Sequence, residues 1–196
     1  MGELTYLKAA NTVKNVYGED HLEYAIPLEK LADIYQRIGQ NTKAERFFLR
    51  SLELKKKFLG PAHPETADAW TNLAEFYVGI SKYSAARESL STAMKIANET
   101  IGKESAKYGS LLRTMGTILV KEEKYKEAEP YLLDAVKQVE KSGERAWHAF
   151  TLSVLAEVYE NLSEFSKAKL YYEKSATVWE ATYGKNHVAY AIACQS

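Results

Sequence analysis

Trp70-Thr71-Asn72-Leu73-Ala74-Glu75-Phe76-Tyr77, followed by Ala86, Leu90 and Ala93, is the stretch whose reading decides the fold. Leu73 and Ala74 each fall about one helical turn before Tyr77, and Ala86, Leu90 and Ala93 again follow helical spacing. Gly79-Ile80-Ser81 breaks the pattern between them. The stretch therefore spells two helices joined by a tight turn. Small residues mark where the two backbones approach too closely for a long side chain, and large residues fill the space left between them.

The same pattern runs through the chain. Leu31-Ala32 recurs as Leu73-Ala74, Met115-Gly116 and Leu155-Ala156, at spacings of 42, 42 and 40 residues. Tyr35, Tyr77, Leu119 and Tyr159 follow each pair. Then come Ala44, Ala86, Ala128 and Ala168, next Phe48, Leu90, Leu132 and Tyr172, and last Ser51, Ala93, Ala135 and Ser175. Tyr6 and Ala9 occupy the last two columns of a preceding half copy. A period of this length signals stacked supersecondary units, each unable to bury its apolar face alone.

Punctuation agrees with the columns. Gly18, Gly60, Gly102 and Gly184 stand where a helix can end on a left-handed residue. Pro64 suits the first turn of a helix starting after His63. Pro27 and Pro130 are placed near helix starts, where a missing N–H costs little. Thr42 with Glu45 has the spacing of a capping box. Ala86 and Ala128 are expected to be buried at helix contacts.

Trp70-x2-Leu73-Ala74-x2-Tyr77 with Ala86, Leu90 and Ala93 resembles the tetratricopeptide repeat. The longer period is similar to the repeats of kinesin light chain. That narrower likeness is carried by His63-Pro64-Glu65-Thr66-Ala67, Asn72-Leu73-Ala74, Lys124-Tyr125-x2-Ala128-Glu129-Pro130 and the linkers Gly18/His21, Gly60/His63 and Gly184/His187. In the light chain an asparagine column precedes the Leu-Ala pair; here it reads Lys30, Asn72, Thr114 and Val154. The resemblance implies an all-α fold, a right-handed α-solenoid of antiparallel helical hairpins. Its copies are expected over residues 21–60, 63–102, 105–143 and 145–184, with a lone second helix at 2–17 and the start of a further first helix at 187–196. With half copies at both ends, one side of Tyr6 and Leu7 is expected to lack an intrachain cover.

The chemistry-bearing residues do not assemble into a catalytic pattern. His21, His63 and His187 share one linker column, one or more copies apart, so they read as helix-start residues and not as metal ligands. His148 has no Cys or His nearby. Cys194 is the sole cysteine, which precludes an intramolecular disulfide and fits a reducing, cytoplasmic setting. No phosphate-binding glycine loop or nucleophile elbow occurs. Lys55-Lys56-Lys57 reads as a solvated helix end facing the helix dipole. Lys and Arg together equal Asp and Glu together, 26 of each, so the chain lacks the basic excess of a general nucleic-acid binder. No apolar run is long enough to span a membrane. No enzyme, cofactor, metal, nucleic-acid partner or membrane is called for.

In the tetratricopeptide family the first helix of each hairpin lines a concave groove, and the resemblance maps that surface here. It comprises Ile26, Glu29, Asp33, Gln36 and Arg37, and then Asp68, Thr71, Asn72, Glu75 and Val78. The third copy supplies Ser110, Arg113, Thr117, Val120 and Lys121, and the fourth Phe150, Ser153, Glu157, Glu160 and Asn161. The Lys and Asn clamp that chaperone-tail-binding members use is absent. Acids outnumber bases on this surface, with Asp33, Glu75 and Glu157 in one column. The expected role is a protein–protein adaptor holding a peptide with basic residues around an apolar anchor near Val78, Val120 or Phe150. Two alternatives remain: a structural subunit docking through its convex face or its ends, including self-association or continuation of the array, and a regulatory domain whose catalytic part lies elsewhere.

Overall fold

A computed structural model describes residues 2–184. The described residues form nine α-helices and one 3₁₀ turn, Leu22–Tyr24, with no strand. They divide into two compact units, one up to residue 100 and the other from residue 101 onwards. The first unit holds α1 (Gly2–Tyr17), α2 (Ala25–Arg37), α3 (Asn41–Phe58), α4 (Pro64–Gly79) and α5 (Tyr83–Thr100). The second holds α6 (Ala106–Lys121), α7 (Tyr125–Ser142), α8 (Arg145–Asn161) and α9 (Phe165–Tyr183). Within each unit, consecutive helices pair as hairpins and each hairpin stacks on the next. The start of a further helix at 187–196 lies outside the described residues.

The columns become the core. Ala44, Ala86 and Ala128 are fully buried, Ala168 nearly so, and Ala32, Ala74 and Ala156 match them on the first helices. In the first unit, Leu31, Tyr35, Phe48, Leu52, Leu73 and Phe76 form one cluster, with Phe48 and Phe76 rings 5.5 Å apart across α3 and α4. Ala9 is exposed although Ser51, Ala93, Ala135 and Ser175 in its column are buried. That column faces the first helix of its own hairpin: Ser51 bonds Glu29 of α2, and Ser175 donates to the Ala149 carbonyl of α8. No described helix takes that place beside α1. Tyr6 and Leu7 are only partly buried, whereas Ala10, which faces α2, is buried.

The helix ends follow from backbone hydrogen bonding. All four hairpin turns close in one way: Gln40, Lys82, Lys124 and Glu164 each donate an amide to the carbonyl five residues earlier. This wide bond needs a left-handed residue just before it. Gly39 supplies one, with φ +76°, and Ser81, Glu123 and Ser163 adopt the same conformation at φ 59–61°. The capping box does not form. α3 begins at Asn41 with Gln40 as its N-cap and no side-chain cap bond. Glu45 instead accepts from the Tyr77 hydroxyl, so its carboxylate is engaged by the next hairpin.

The two prolines fare differently. Pro27 is the third residue of α2, within the first turn as expected. Pro130 is the sixth residue of α7, because the turn at 122–124 closes early and starts the helix at Tyr125. There its nitrogen cannot donate to the Lys126 carbonyl, as the next turn of an α-helix requires. Pro130→Ala is expected to raise stability by about 1–3 kcal/mol, less the extra freedom gained by the unfolded chain. A rise in the denaturant midpoint checks this; no rise would mean α7 already accommodates the ring without strain.

Candidate partner-binding faces

The first-helix positions mapped from the sequence divide by burial. Asp33 and Asp68 are half-buried in the first unit, Glu75 and Arg37 are exposed, and Thr71, Asn72 and Val78 are half-buried. Asp33 lies 4.0 Å from the Lys30 ammonium. Burial raises the Asp33 carboxyl above the usual carboxylate range, partly offset by the positive charges of Lys30 and Arg37. Ile26 is exposed in the column that contains Asp68. Lateral contact between α2 and α4 is close: a Cβ on Gly79 would lie 2.5 Å from the Gln36 side-chain nitrogen.

Three mapped residues, Glu29, Ser153 and Val120, do not belong to such a surface. Glu29 keeps only 16% side-chain exposure, and its Oε1 accepts from Lys55 Nζ at 2.7 Å and from Ser51 Oγ at 2.9 Å. Glu29 therefore turns towards the hairpin's own second helix. Ser153, in the same column, likewise shares a 2.7 Å bond with Ser175. Val120 is 5% exposed and packs in the core, so it offers no anchor to a ligand. The hydroxyls of Thr71 and Thr117 are both spent on carbonyls of their own helices, Ala67 and Arg113.

In the second unit the α6 and α8 surface has a different chemistry. The Arg113 guanidinium sits 4.3 Å from the Trp147 ring centroid and 5.9 Å from that of Phe150. The two rings meet edge to face at 6.1 Å, and both stay open, at 49% and 38% exposure. Glu157 and Glu160 are exposed further along α8, with Glu160 accepting from the Tyr172 hydroxyl at 3.0 Å. Phe150 and Glu157 are seven residues apart on α8 and so lie on one stripe. Trp147 is the third residue of α8.

Histidine and lysine take structural roles. His63 Nδ1 accepts from the Glu65 amide at 3.2 Å and caps α4, and His21 caps the 3₁₀ turn in the same way through Glu23. The third copy has Ser105 in that column, and its Oγ accepts from the Tyr108 amide. A serine doing the same work shows that the column is chosen for N-capping. His148 lines a small crevice of about 300 Å³ with Val139, Glu140, Arg145 and Val178, where burial lowers its imidazole pKa. Of the Lys55–Lys57 run only part is solvated: Lys55 is buried against Glu29, Lys56 lies over Trp70, and Lys57 pairs with Asp20. Among the described residues, no group of three His, Cys, Asp or Glu is placed to hold a metal ion, and no helix is long and apolar enough to cross a membrane.

Successive hairpins within a unit are joined by a tyrosine–carboxylate bond. The Tyr77 hydroxyl donates to Glu45 Oε1 and that of Tyr159 to Glu129 Oε1, both at 2.8 Å. Burial and the adjacent carboxylate push the Tyr77 phenol up to about 12, and Tyr159 is raised by the same causes. A raised tyrosine pKa favours the neutral folded form. Its contribution is complete below pH about 10, the unfolded value, and is lost as pH climbs through the folded value. Spectrophotometric titration is expected to show phenols resisting ionisation above pH about 10, and Tyr77→Phe is expected to remove one of them. A titration unchanged by Tyr77→Phe would count against the bond.

The family model for the tetratricopeptide repeat matches residues 5–57, 28–99, 65–141 and 107–176, a near-continuous cover. The chain belongs to the tetratricopeptide-repeat family. This tetratricopeptide-repeat chain is similar in structure to BtubC (BKLC) from P. vanneervenii, at 20% identity and TM-score 0.81 over 91% of this chain and 72% of that one. A putative kinesin light chain with nearly identical TPR-like repeats from Podosopora anserina aligns at 18% identity and TM-score 0.76, covering 92% and 87%. Aspartyl phosphate phosphatase F from Bacillus subtilis aligns at 16% identity and TM-score 0.80, covering 96% of this chain but 47% of that one. At these identities the likeness is one of fold, and it supports the light-chain-like form of the repeat. No curated protein matches the sequence.

Proposed function

We propose that this chain is a non-catalytic interaction scaffold whose first-helix surfaces hold a segment of a partner protein. The observation that carries the reading is the α2–α4 surface. It presents Asp33, Asp68 and Glu75 against Arg37 and Lys30, beside the apolar side chains of Ile26 and Val78. A peptide with Lys or Arg around an apolar residue fits it. Its cations would offset the burial of the Asp33 carboxylate and pair with the exposed acids. An acidic peptide would meet like charge. The aromatic surface at Trp147 and Phe150 gives the second unit an apolar anchor of its own. This role needs no cofactor, and a reducing, cytoplasmic setting suits the lone thiol.

The test is direct binding of two labelled peptides sharing one apolar anchor, one flanked by Lys and Arg and the other by Asp and Glu. At low salt the basic peptide is expected to bind about tenfold or more tightly, an advantage that shrinks as salt rises. Equal affinities, or preference for the acidic peptide, would overturn the reading. A structural-subunit role is favoured by one separate observation, the exposed Leu4, Val16 and Tyr17 on α1. Concentration-dependent association that vanishes on Val16→Lys would support that role instead.

A further inference from the structure

Asp33 and Glu75 share a column, but water reaches them unequally. Glu75 is exposed, whereas Asp33 is half-buried. Asp33 lies one helical turn before Gln36, where α2 and α4 approach so closely that a Cβ on Gly79 would meet the Gln36 side-chain nitrogen at 2.5 Å. Burial is the largest influence on the Asp33 carboxyl and works against its charge, while Lys30 and Arg37 work the other way. A carboxylate in this state gains more from a new cation than a fully hydrated one does, because part of its solvation is already lost.

The cation nearest to it on its own helix holds Asp33 loosely. Lys30 Nζ stands 4.0 Å from the carboxylate, at the outer limit of an ion pair, and the Lys30 side chain is 51% exposed. An exposed pair of this kind is worth little, so a ligand displaces it at small cost. Arg37, exposed one turn further along α2, acts on Asp33 through its charge. An ammonium from a partner would only replace the one that Lys30 already supplies. A guanidinium brings two parallel N–H donors matched to a carboxylate. It is also more weakly hydrated, so it loses less on entering a half-buried place.

We propose that Asp33 is the specificity-determining residue of the α2–α4 surface and selects arginine over lysine in the partner segment. This selection rests on the surface being a peptide site, as proposed above, and names the chemistry that site reads. The exposed acids attract positive charge of either kind, and Asp33 distinguishes the two. Arginine on Asp33 needs the carboxylate ionised. Burial holds that carboxyl above the usual range, so arginine binding should weaken with falling pH before ordinary surface carboxylates protonate.

The experiment uses the full chain and labelled peptides of equal length sharing one apolar anchor, flanked by Arg, by Lys, or by Asp and Glu. The arginine peptide is expected to bind about fivefold or more tightly than the lysine peptide. Asp33→Asn, which keeps the size of the side chain, should bring the two to similar affinity, mainly by weakening the arginine peptide. Glu75→Gln should weaken both alike and leave their ratio unchanged. Acidification should lower that ratio in the wild-type protein and leave it unmoved in Asp33→Asn. Equal affinities for the arginine and lysine peptides, with both above the acidic one, overturn the role of Asp33 and leave the peptide site standing. An arginine preference that survives Asp33→Asn also overturns it, by placing the selection on another residue. If neither basic peptide exceeds the acidic one, the peptide site itself fails and the selection with it.

Discussion

Gly116→Val is expected to cost the fold about 3 kcal/mol or more, at the upper end for overpacking a filled core. Gly116 occupies the small column shared with Ala32, Ala74 and Ala156, on the side of α6 that meets α7. A Cβ built there lies 2.5 Å from Leu132 Cγ and 2.6 Å from its Cδ2. Leu132 is itself fully buried, so it has no solvent into which to retreat. Valine adds two further methyl groups at the same point. Its better helix propensity returns only about 0.5 kcal/mol of that cost. Denaturant unfolding of the full chain measures the effect. A loss below about 0.5 kcal/mol would mean that α6 and α7 do not approach at this column and that the register of the hairpin is wrong.

Glu29→Ala is expected to cost about 2–4 kcal/mol, somewhat less than a fully enclosed pair because Glu29 keeps an edge to water. The substitution removes the acceptor of both the Lys55 ammonium and the Ser51 hydroxyl. Lys55, whose side chain is only 7% exposed, is left without its carboxylate. The lysine stands where other copies carry apolar residues, Ala97 and Val139, whereas Thr71 and Arg113 stand in the column of Glu29. The double variant Glu29→Ala with Lys55→Met should therefore recover most of the loss, because the two changes act on one interaction. Additive losses would show that the carboxylate contributes through some other contact.

Much of the fold was legible because four copies report on each position. A column holding alanine in every copy cannot be a solvated accident, and Ala44, Ala86, Ala128 and Ala168 are all buried. Helix ends were legible through Gly18, Gly60 and Gly102, which do take left-handed conformations. Where one position carried the argument, the reading was weaker. Thr42 and Glu45 have capping-box spacing, yet Glu45 is drawn to Tyr77 on the next hairpin, a long-range contact that local spacing does not encode. Pro130 moved deeper into α7 because the turn before it closes by a backbone bond available to any residue type. On the first helices, adjacent positions point about 100° apart, so a small error in phase turns a surface residue inwards. That accounts for Glu29 and Val120. The Ser105 in the histidine column did hold the signal that His21 and His63 are caps.

The central claim is that the charge of the α2–α4 surface selects the partner segment. Its most direct test is the preference between the basic and the acidic peptide measured on Asp33→Lys with Glu75→Lys. The two positions share a column on adjacent hairpins of the first unit, and both side chains reach solvent, so the reversal should leave the fold intact. The account predicts that the preference for the basic peptide is lost or inverted, with the largest change at low ionic strength. A preference that stays the same in the reversed protein, at low and at high salt, would contradict it.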